Sequence, residues 1–152
     1  MKVRRITESD AEVAGECVRR LLGELAPDRA DTFQPDDFAE RTRRLVGEGD
    51  RTWGFLALDG EDRAVGALML GECAAVYAGG VFGVITELYV VPEHRSEGVA
   101  PPLIEAAQEF GKTRGWTHVE VTAPPLPKWR RTVDFYLREG FTEIGVRLKR
   151  GL

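Results

Sequence analysis

The sequence predicts an α/β chain with a mixed sheet (α/β, of the α+β mixed-sheet kind), in which an antiparallel meander is followed by a parallel strand–helix–strand crossover and helices lie on both faces. Three observations carry this. The apolar runs "TWGFLAL", "AVGALMLGECA" and "VFGVITELYVV" are separated only by "DGEDR", whose Asp-Gly pair favours a hairpin, and by "AGG". After "ELYVV" comes a helical pattern with Leu103, Ile104, Ala107 and Phe110 on one side, stopped at Gly115, and then the alternating "THVEVTA". A hydrophobic content of 43% over 152 residues supports one core, so residues 1–152 are expected to form a single domain.

The remaining elements follow in order. "KVRRI" reads as a short strand. In "TESD", Thr7 and Asp10 stand at capping-box spacing ahead of a helix whose apolar line is Val13, Cys17, Leu21 and Leu25, running to about Ala26. Pro27 to Gln34 reads as a polar loop, and Pro35 with Asp36 and Asp37 suits the first turn of a second helix ending near Gly47, with Phe38, Thr42, Leu45 and Val46 inward. Beyond "PPLP", a helix from about Lys128 to Arg138 presents Trp129, Val133 and Tyr136, and Gly140 ends it before a last predicted strand, "FTEIGVRL".

Composition narrows the function. A net charge of -4 and a pI near 5.3 oppose general nucleic-acid binding, which needs concentrated Lys and Arg, and the basic clusters at Arg41 to Arg44 and Arg147 to Arg150 read as solvated faces. No apolar run is long enough to span a bilayer, and "MKVRRITESD" lacks the apolar segment of a secretion signal, so no membrane partner and a cytoplasmic location are expected. Cys17 and Cys73 are too few for a disulfide framework or zinc site and read as buried thiols; no metal is expected.

The stretch "PEHRSEGVAPPLIEAA" joins strand to helix through Arg95, Ser96, Glu97, Gly98, Val99 and Ala100. Amides at a helix start lack intrahelical acceptors and, with the macrodipole, favour an anion. Gly98 lets the backbone approach a phosphate, Arg95 can answer its charge, and Pro101 and Pro102 have no N–H, so donors must come from residues 96–100. Taken alone, such a glycine turn fits steric need as well as phosphate binding.

Its surroundings decide between them. The Arg/Gln-x-x-Gly-x-Gly/Ala pattern at Arg95, Gly98 and Ala100, directly after "ELYVVPEH", and the helix ending "FYLREGF" (Phe135, Tyr136, Gly140, Phe141) resemble the GNAT acyltransferase superfamily. The element order resembles it over nearly the whole chain, and the motifs over residues 83–141. The resemblance implies acetyl-CoA as co-substrate, its pantetheine arm pairing with the backbone of Leu88, Tyr89 and Val90 where two strands splay, and its pyrophosphate on the amides from Ser96 to Ala100. Exposed strand edges offer such donors and acceptors. The sequence departs from the pattern at Pro101, Trp129 and Thr132.

Acyl transfer needs a neutral amine, and deprotonating a lysine-like amine of pKa about 10.4 at pH 7 costs roughly 4 to 5 kcal/mol. A base is therefore required. Alternation in "VITELYVV" puts Glu87 on one face with Ile85 and Tyr89, where it is either a base acting through water or a strand glutamate paired with a neighbour. The resemblance implies Tyr136 as the acid near the cofactor sulfur, a role compatible with its packing. A backbone N–H near Leu88 or Val90 suits the oxyanion. His94 and His118 read as turn and strand residues in surface or structural roles.

The resemblance also implies an acceptor pocket walled by "APDRADTFQPDD" and "AAVYAGGVF", with Phe33, Tyr77 and Phe82 as contacts. With no cysteine in the motif region to carry an acyl group, direct transfer to a small-molecule amine in a ternary complex is the leading expectation. A protein or peptide N-acetyltransferase and a non-catalytic acyl-CoA-binding module are its rivals; a Rossmann dinucleotide enzyme lacks its three glycines and acidic partner. The last strand is expected to be an edge covered by a second subunit, giving a homodimer.

Overall fold

The computed structural model describes residues 1–48 and 50–152. Strands β1 (Lys2–Arg5), β2 (Thr52–Leu58), β3 (Ala64–Ala75), β4 (Gly80–Val90) and β5 (Val119–Val121) form one five-stranded sheet in sequence order. β1 to β4 are antiparallel neighbours, and β5 runs parallel to β4, as the crossover requires. Helices α1 (Ala11–Leu25) and α2 (Pro35–Gly47) cover one face; α3 (Ala100–Arg114) and α4 (Arg130–Arg138) lie on the other.

Local chemistry explains the ends of these elements. The Asp10 carboxylate accepts the Thr7 N–H at 2.9 Å and both terminal nitrogens of Arg4 at 2.8 and 2.7 Å, which hold it well below the usual carboxylate range. The expected capping box is thus formed, though one 3-10 turn, Glu8–Asp10, precedes α1. In the β2–β3 turn, Asp59 Oδ1 accepts the N–H groups of Glu61 and Arg63 at 2.8 and 3.0 Å, and Asp62, not Gly60, takes the left-handed conformation with φ of 58°. α3 stops at Gly115, whose φ of 73° and N–H to Gly111 and Lys112 carbonyls make a left-handed cap.

Two cores result. Trp53, Phe55, Leu68, Leu70, Ile85, Leu103, Ile104 and Tyr136 pack between the sheet and α3 with α4. On the opposite face Ile6, Ala14, Cys17, Leu56, Leu58, Met69 and Tyr89 pack beneath α1.

The structure corrects several expectations. The buried line of α1 is Ala11, Ala14, Gly15 and Cys17, while Val13 is exposed, because α1 meets α2 through small residues. A Cβ at Gly15 would stand 2.8 Å from the backbone of Phe38 and Ala39. Leu45 is likewise exposed, and the loop after α1 contains a 3-10 helix, Pro27–Thr32. Cys73 is exposed, since β3 runs past the helical cover there; Cys17 is buried, which pushes its thiol up to about 11.

The last predicted strand is not formed. Residues 141–152 carry no regular element, and Ile144, Val146 and Leu148 are 72, 87 and 89% exposed. Alternation makes a strand only beside a partner, and the three residues of β5 offer little edge. The edge strand beyond β4 is therefore β5, as β1 is at the opposite edge, and the expected reason for a second subunit to cover the C-terminal strand falls away.

Candidate functional site at the splayed edge of β4

β4 changes face midway. Met69 is opposite Glu87 and Leu70 is opposite Ile85, so Thr86 is an extra residue without a cross-strand partner. Ile85 belongs to the core under α3, whereas Met69 and Tyr89 belong to the core under α1. Glu87 therefore shares a face with Tyr89 but not with Ile85, which corrects the uniform alternation read from the sequence. Half-buried, the Glu87 carboxylate accepts a short hydrogen bond from the Thr86 hydroxyl. Burial pushes its pKa up, and the Thr86 bond opposes that shift.

Beside the bulge the sheet opens. β5 pairs with β4 only from Gly83 to Ile85, so the edge from Thr86 to Val90 has no strand partner on that side. Leu88 and Val90 pack toward the α3 core and Tyr89 toward the other, leaving the main chain to present its polar groups at the gap.

The open edge leads into the loop before α3. Ser96 and Gly98 have φ of 68° and 77°, and Val99 follows at −74°; a left-handed residue followed by a right-handed one turns successive N–H groups toward one side, as in an anion nest. Among the described residues the amides of Ser96, Gly98, Val99 and Ala100 have no backbone acceptor, while Glu97 N–H reaches His94 O at 3.4 Å. Space is open where a Cβ of Gly98 would stand, and Val99, 4% exposed, anchors the loop in the core. The Glu97 carboxylate is engaged with His94 Nδ1 at 2.7 Å.

Arg95 is placed differently from the expectation that its guanidinium faces a phosphate. Its Nε donates to Val90 O at 3.0 Å, a terminal nitrogen bonds Glu24 of α1 at 2.6 Å, and the group lies 5.6 Å over the Tyr89 ring. It ties α1 to the end of β4, and its side chain has a carboxylate partner already.

Tyr136 flanks the same gap from the α3 side. It shares a core with Leu88, Val90 and Val121, its ring 5.5 Å from Phe141, and burial pushes its hydroxyl up to about 12. Glu87 and Tyr136 thus approach the splay from opposite faces of the sheet. Trp129, at the N-cap of α4, lies under the Lys128 ammonium at 5.3 Å, and Thr132 donates its N–H to Trp129 O at 3.0 Å.

The expected acceptor residues fall into two groups. Phe33 packs on Phe38 of α2 with centroids 5.9 Å apart, whereas Tyr77 and Phe82 pair at 5.9 Å by the β3–β4 turn; no ring pair links the groups among the described residues. Tyr77 and Phe82 are joined instead by His118 and Glu120 of the β5 segment. The His118 ring stacks on Phe82 at 4.8 Å and 8°, and Glu120 Oε1 receives the Tyr77 hydroxyl at 2.7 Å and lies 2.9 Å from His118 Nε2. Tyr77 first, then His118, holds the Glu120 carboxyl low. The reading of His118 as a strand residue in a surface or structural role did not name its partners; its place two residues before Glu120 in "THVEVTA" puts both on one face of the β5 segment.

Among the described residues no three His, Cys, Asp or Glu side chains gather as a metal site requires, and no helix is long and apolar enough to cross a membrane.

A strand splayed from its parallel neighbour, running into a glycine turn of unused amides, is the arrangement that the resemblance to GNAT acyltransferases implies. The acetyltransferase (GNAT) domain matches residues 50–143, more than half the chain, and the chain belongs to this family. Solved structures share the fold. The aminoglycoside acetyltransferase meta-AAC0020 from an uncultured soil metagenomic sample, crystallised with trehalose, is 24% identical over 99% of this chain and 95% of its own, with a TM-score of 0.78. Aminoglycoside N-acetyltransferase AAC(6')-Iy in complex with CoA is 20% identical over 99% and 93%, with a TM-score of 0.74. A tetramutant of the BH1408 protein from Bacillus halodurans is 16% identical over the full length of both chains, at 0.78. A search of curated proteins finds no match.

Proposed function

We propose that the chain, read as one GNAT domain over residues 1–152, is an N-acetyltransferase that moves an acetyl group from acetyl-CoA to a primary amine of a small molecule by direct transfer in a ternary complex. One observation carries the reading: the unpaired β4 edge from Thr86 to Val90 runs straight into the free amides of Ser96, Gly98, Val99 and Ala100. This set fits acetyl-CoA, because the edge supplies donors and acceptors for the amides of the pantetheine arm and the turn supplies N–H groups for a diphosphate. Pro101 and Pro102 have no N–H to add, and Arg95 is held by Glu24, so the main chain bears the phosphate contacts. The AAC(6')-Iy structure with CoA supports the cofactor, and the two aminoglycoside acetyltransferases support a small-molecule amine.

Acetyl-CoA supplies a thioester carbonyl ready for transfer. Glu87, its basicity raised by burial, accepts the proton from the acceptor nitrogen through a water as the C–N bond forms. The N–H of Leu88 or Val90 donates to the carbonyl oxygen as it gains charge. The C–S bond then breaks and its electron pair leaves on sulfur. Against a thiol of pKa about 8.5, handing over a proton from a hydroxyl at about 12 is uphill by roughly 5 kcal/mol. Tyr136 therefore steadies the departing sulfur with a hydrogen bond, and the thiolate takes its proton from solvent. Phe33, Tyr77 and Phe82 are assigned to the acceptor side. A cytoplasmic location is the expected setting.

Thiol release from acetyl-CoA over a panel of amines and peptides, with coenzyme A binding measured by calorimetry, tests the reading. Turnover of small amines, strongly reduced in Glu87→Gln and less so in Tyr136→Phe, is expected. Binding without turnover of any acceptor favours a non-catalytic acyl-CoA module, preferential turnover of peptides favours a protein acetyltransferase, and absence of coenzyme A binding overturns all three.

A further inference from the structure

The register that opens β4 also fixes what lies beside Glu87 on the same face. Gly83, Val84 and Ile85 pair with Val119, Glu120 and Val121, and Val119 and Val121 pack toward the α3 core. Glu120 and His118 therefore point to the opposite face, the one that carries Glu87. Along β4, Val84 and Glu87 are separated by Ile85 and the bulged Thr86, so Glu120 lies one strand over and two ladder positions back from Glu87, about 7 Å along the sheet.

The geometry is that of a half-satisfied carboxylate. Both protein partners of Glu120, the Tyr77 hydroxyl and His118 Nε2, meet Oε1; Oε2 has no hydrogen bond among the described residues. His118 Nδ1 lies 3.0 Å from the Thr117 hydroxyl, so both ring nitrogens have partners within the chain. Glu120 keeps 21% of its side-chain surface, and the rings of Tyr77, Phe82 and His118 wall it. A carboxylate with one oxygen fixed and one free, beside aromatic faces, suits an ammonium group through an ion-paired hydrogen bond and cation–π attraction. The chain itself brings a cation here: Arg147 of the C-terminal segment bonds the Thr122 hydroxyl, on the same face of the β5 segment, without bonding Glu120.

Resting on the acetyltransferase reading above, we propose that the acceptor carries a second ammonium group, held by Glu120 among Tyr77, Phe82 and His118, while the nitrogen to be acetylated stands at Glu87. The acceptor class is thus a diamine whose nitrogens are separated by several ångströms. A linear aliphatic diamine and a diamino sugar share this chemistry. Glu120 is a specificity residue and takes no part in bond making.

The test compares 1,5-diaminopentane with 1-aminopentane, and a diamino sugar with its monoamino analogue, as acceptors for the wild-type protein and for Glu120→Gln. The wild type is expected to favour the diamine in each pair roughly tenfold or more in kcat/KM, carried by KM, and the preference is expected to collapse in Glu120→Gln. Preference within one pair alone identifies the source, linear or sugar. Calorimetry in the presence of coenzyme A gives a readout apart from turnover: the diamine binds the wild type more tightly than the monoamine. Equal turnover and binding of monoamine and diamine by the wild type overturn this proposal while leaving the acetyltransferase intact, and need no variant to fold. A diamine preference untouched in a folded Glu120→Gln overturns the assignment to Glu120. Absence of any turnover and of coenzyme A binding removes the parent reading and this one together.

Discussion

The two faces of the sheet are built for different ends. Under α3 the packing is large and closed: Trp53, Phe110 and Trp116 meet with centroids 4.9 to 5.9 Å apart, the Arg114 guanidinium covers Trp53 at 4.7 Å, and Leu68, Leu70 and Leu103 have no exposed surface. Under α1 the residues are smaller, and toward the β4–β5 end hydrocarbon gives way to Glu87, Glu120 and His118. Burial of large apolar side chains stabilises the chain by about 1.5 to 3 kcal/mol each. One face therefore carries most of the large apolar packing, with Tyr136 within it, and the other carries the carboxylates beside the gap.

The sharpest test of that division is Glu87→Gln, expected to lower turnover by roughly 10² to 10⁴. Its pKa is raised in the folded chain, so the stability tied to its protonated form is present in acid and lost as pH rises through the folded value. Melting curves of wild type and variant should therefore diverge with rising pH, the variant becoming the more stable; parallel curves would place Glu87 in water. On the closed face Leu103→Ala should cost about 2 to 5 kcal/mol by denaturant unfolding. A loss under 1 kcal/mol would blur the contrast between the faces. At the edge of the α1 face, Asp10→Ala should cost about 0.5 to 2 kcal/mol. Arg4 depresses the Asp10 pKa, so this contribution is full above its ordinary value of 3.8 and fades as pH falls, and the wild type and variant should converge in acid. Smallest is Val146→Ser, expected to change stability by no more than about 0.5 kcal/mol because the residue touches neither core. A larger loss would show that the C-terminal segment pairs in solution.

The meander, the crossover and the turn around Gly98 were legible because each rests on local chemistry: turn residues, apolar runs and a glycine at φ of 77°. What eluded sequence reading depends on neighbours. Period-two counting through "VITELYVV" holds for an uninterrupted ladder, and nothing in Thr86 announces that β3 skips it. "FTEIGVRL" alternates as a strand should, yet has no adjoining edge long enough to pair with. Arg95 was assigned to a phosphate by its loop, while Glu24, 71 residues away, claims its guanidinium. The Tyr77, His118 and Glu120 cluster spans 43 residues from turn to strand, a link that only the parallel register reveals.

The inserted Thr86 acts as a parity switch. Upstream of it β4 counts odd residues toward α3; downstream the even ones point there, and both halves keep greasy partners. Ironing out that bulge, with Thr86 taken into the ladder opposite Met69 and the upstream pairing held, would rotate Glu87 into the leucine-lined interior and turn Leu88 outward, exchanging a proton acceptor for a methyl group at the very place where the cleft opens. A slip of one residue in pairing, with no change in composition, would thus bury the acidic group and expose the apolar one.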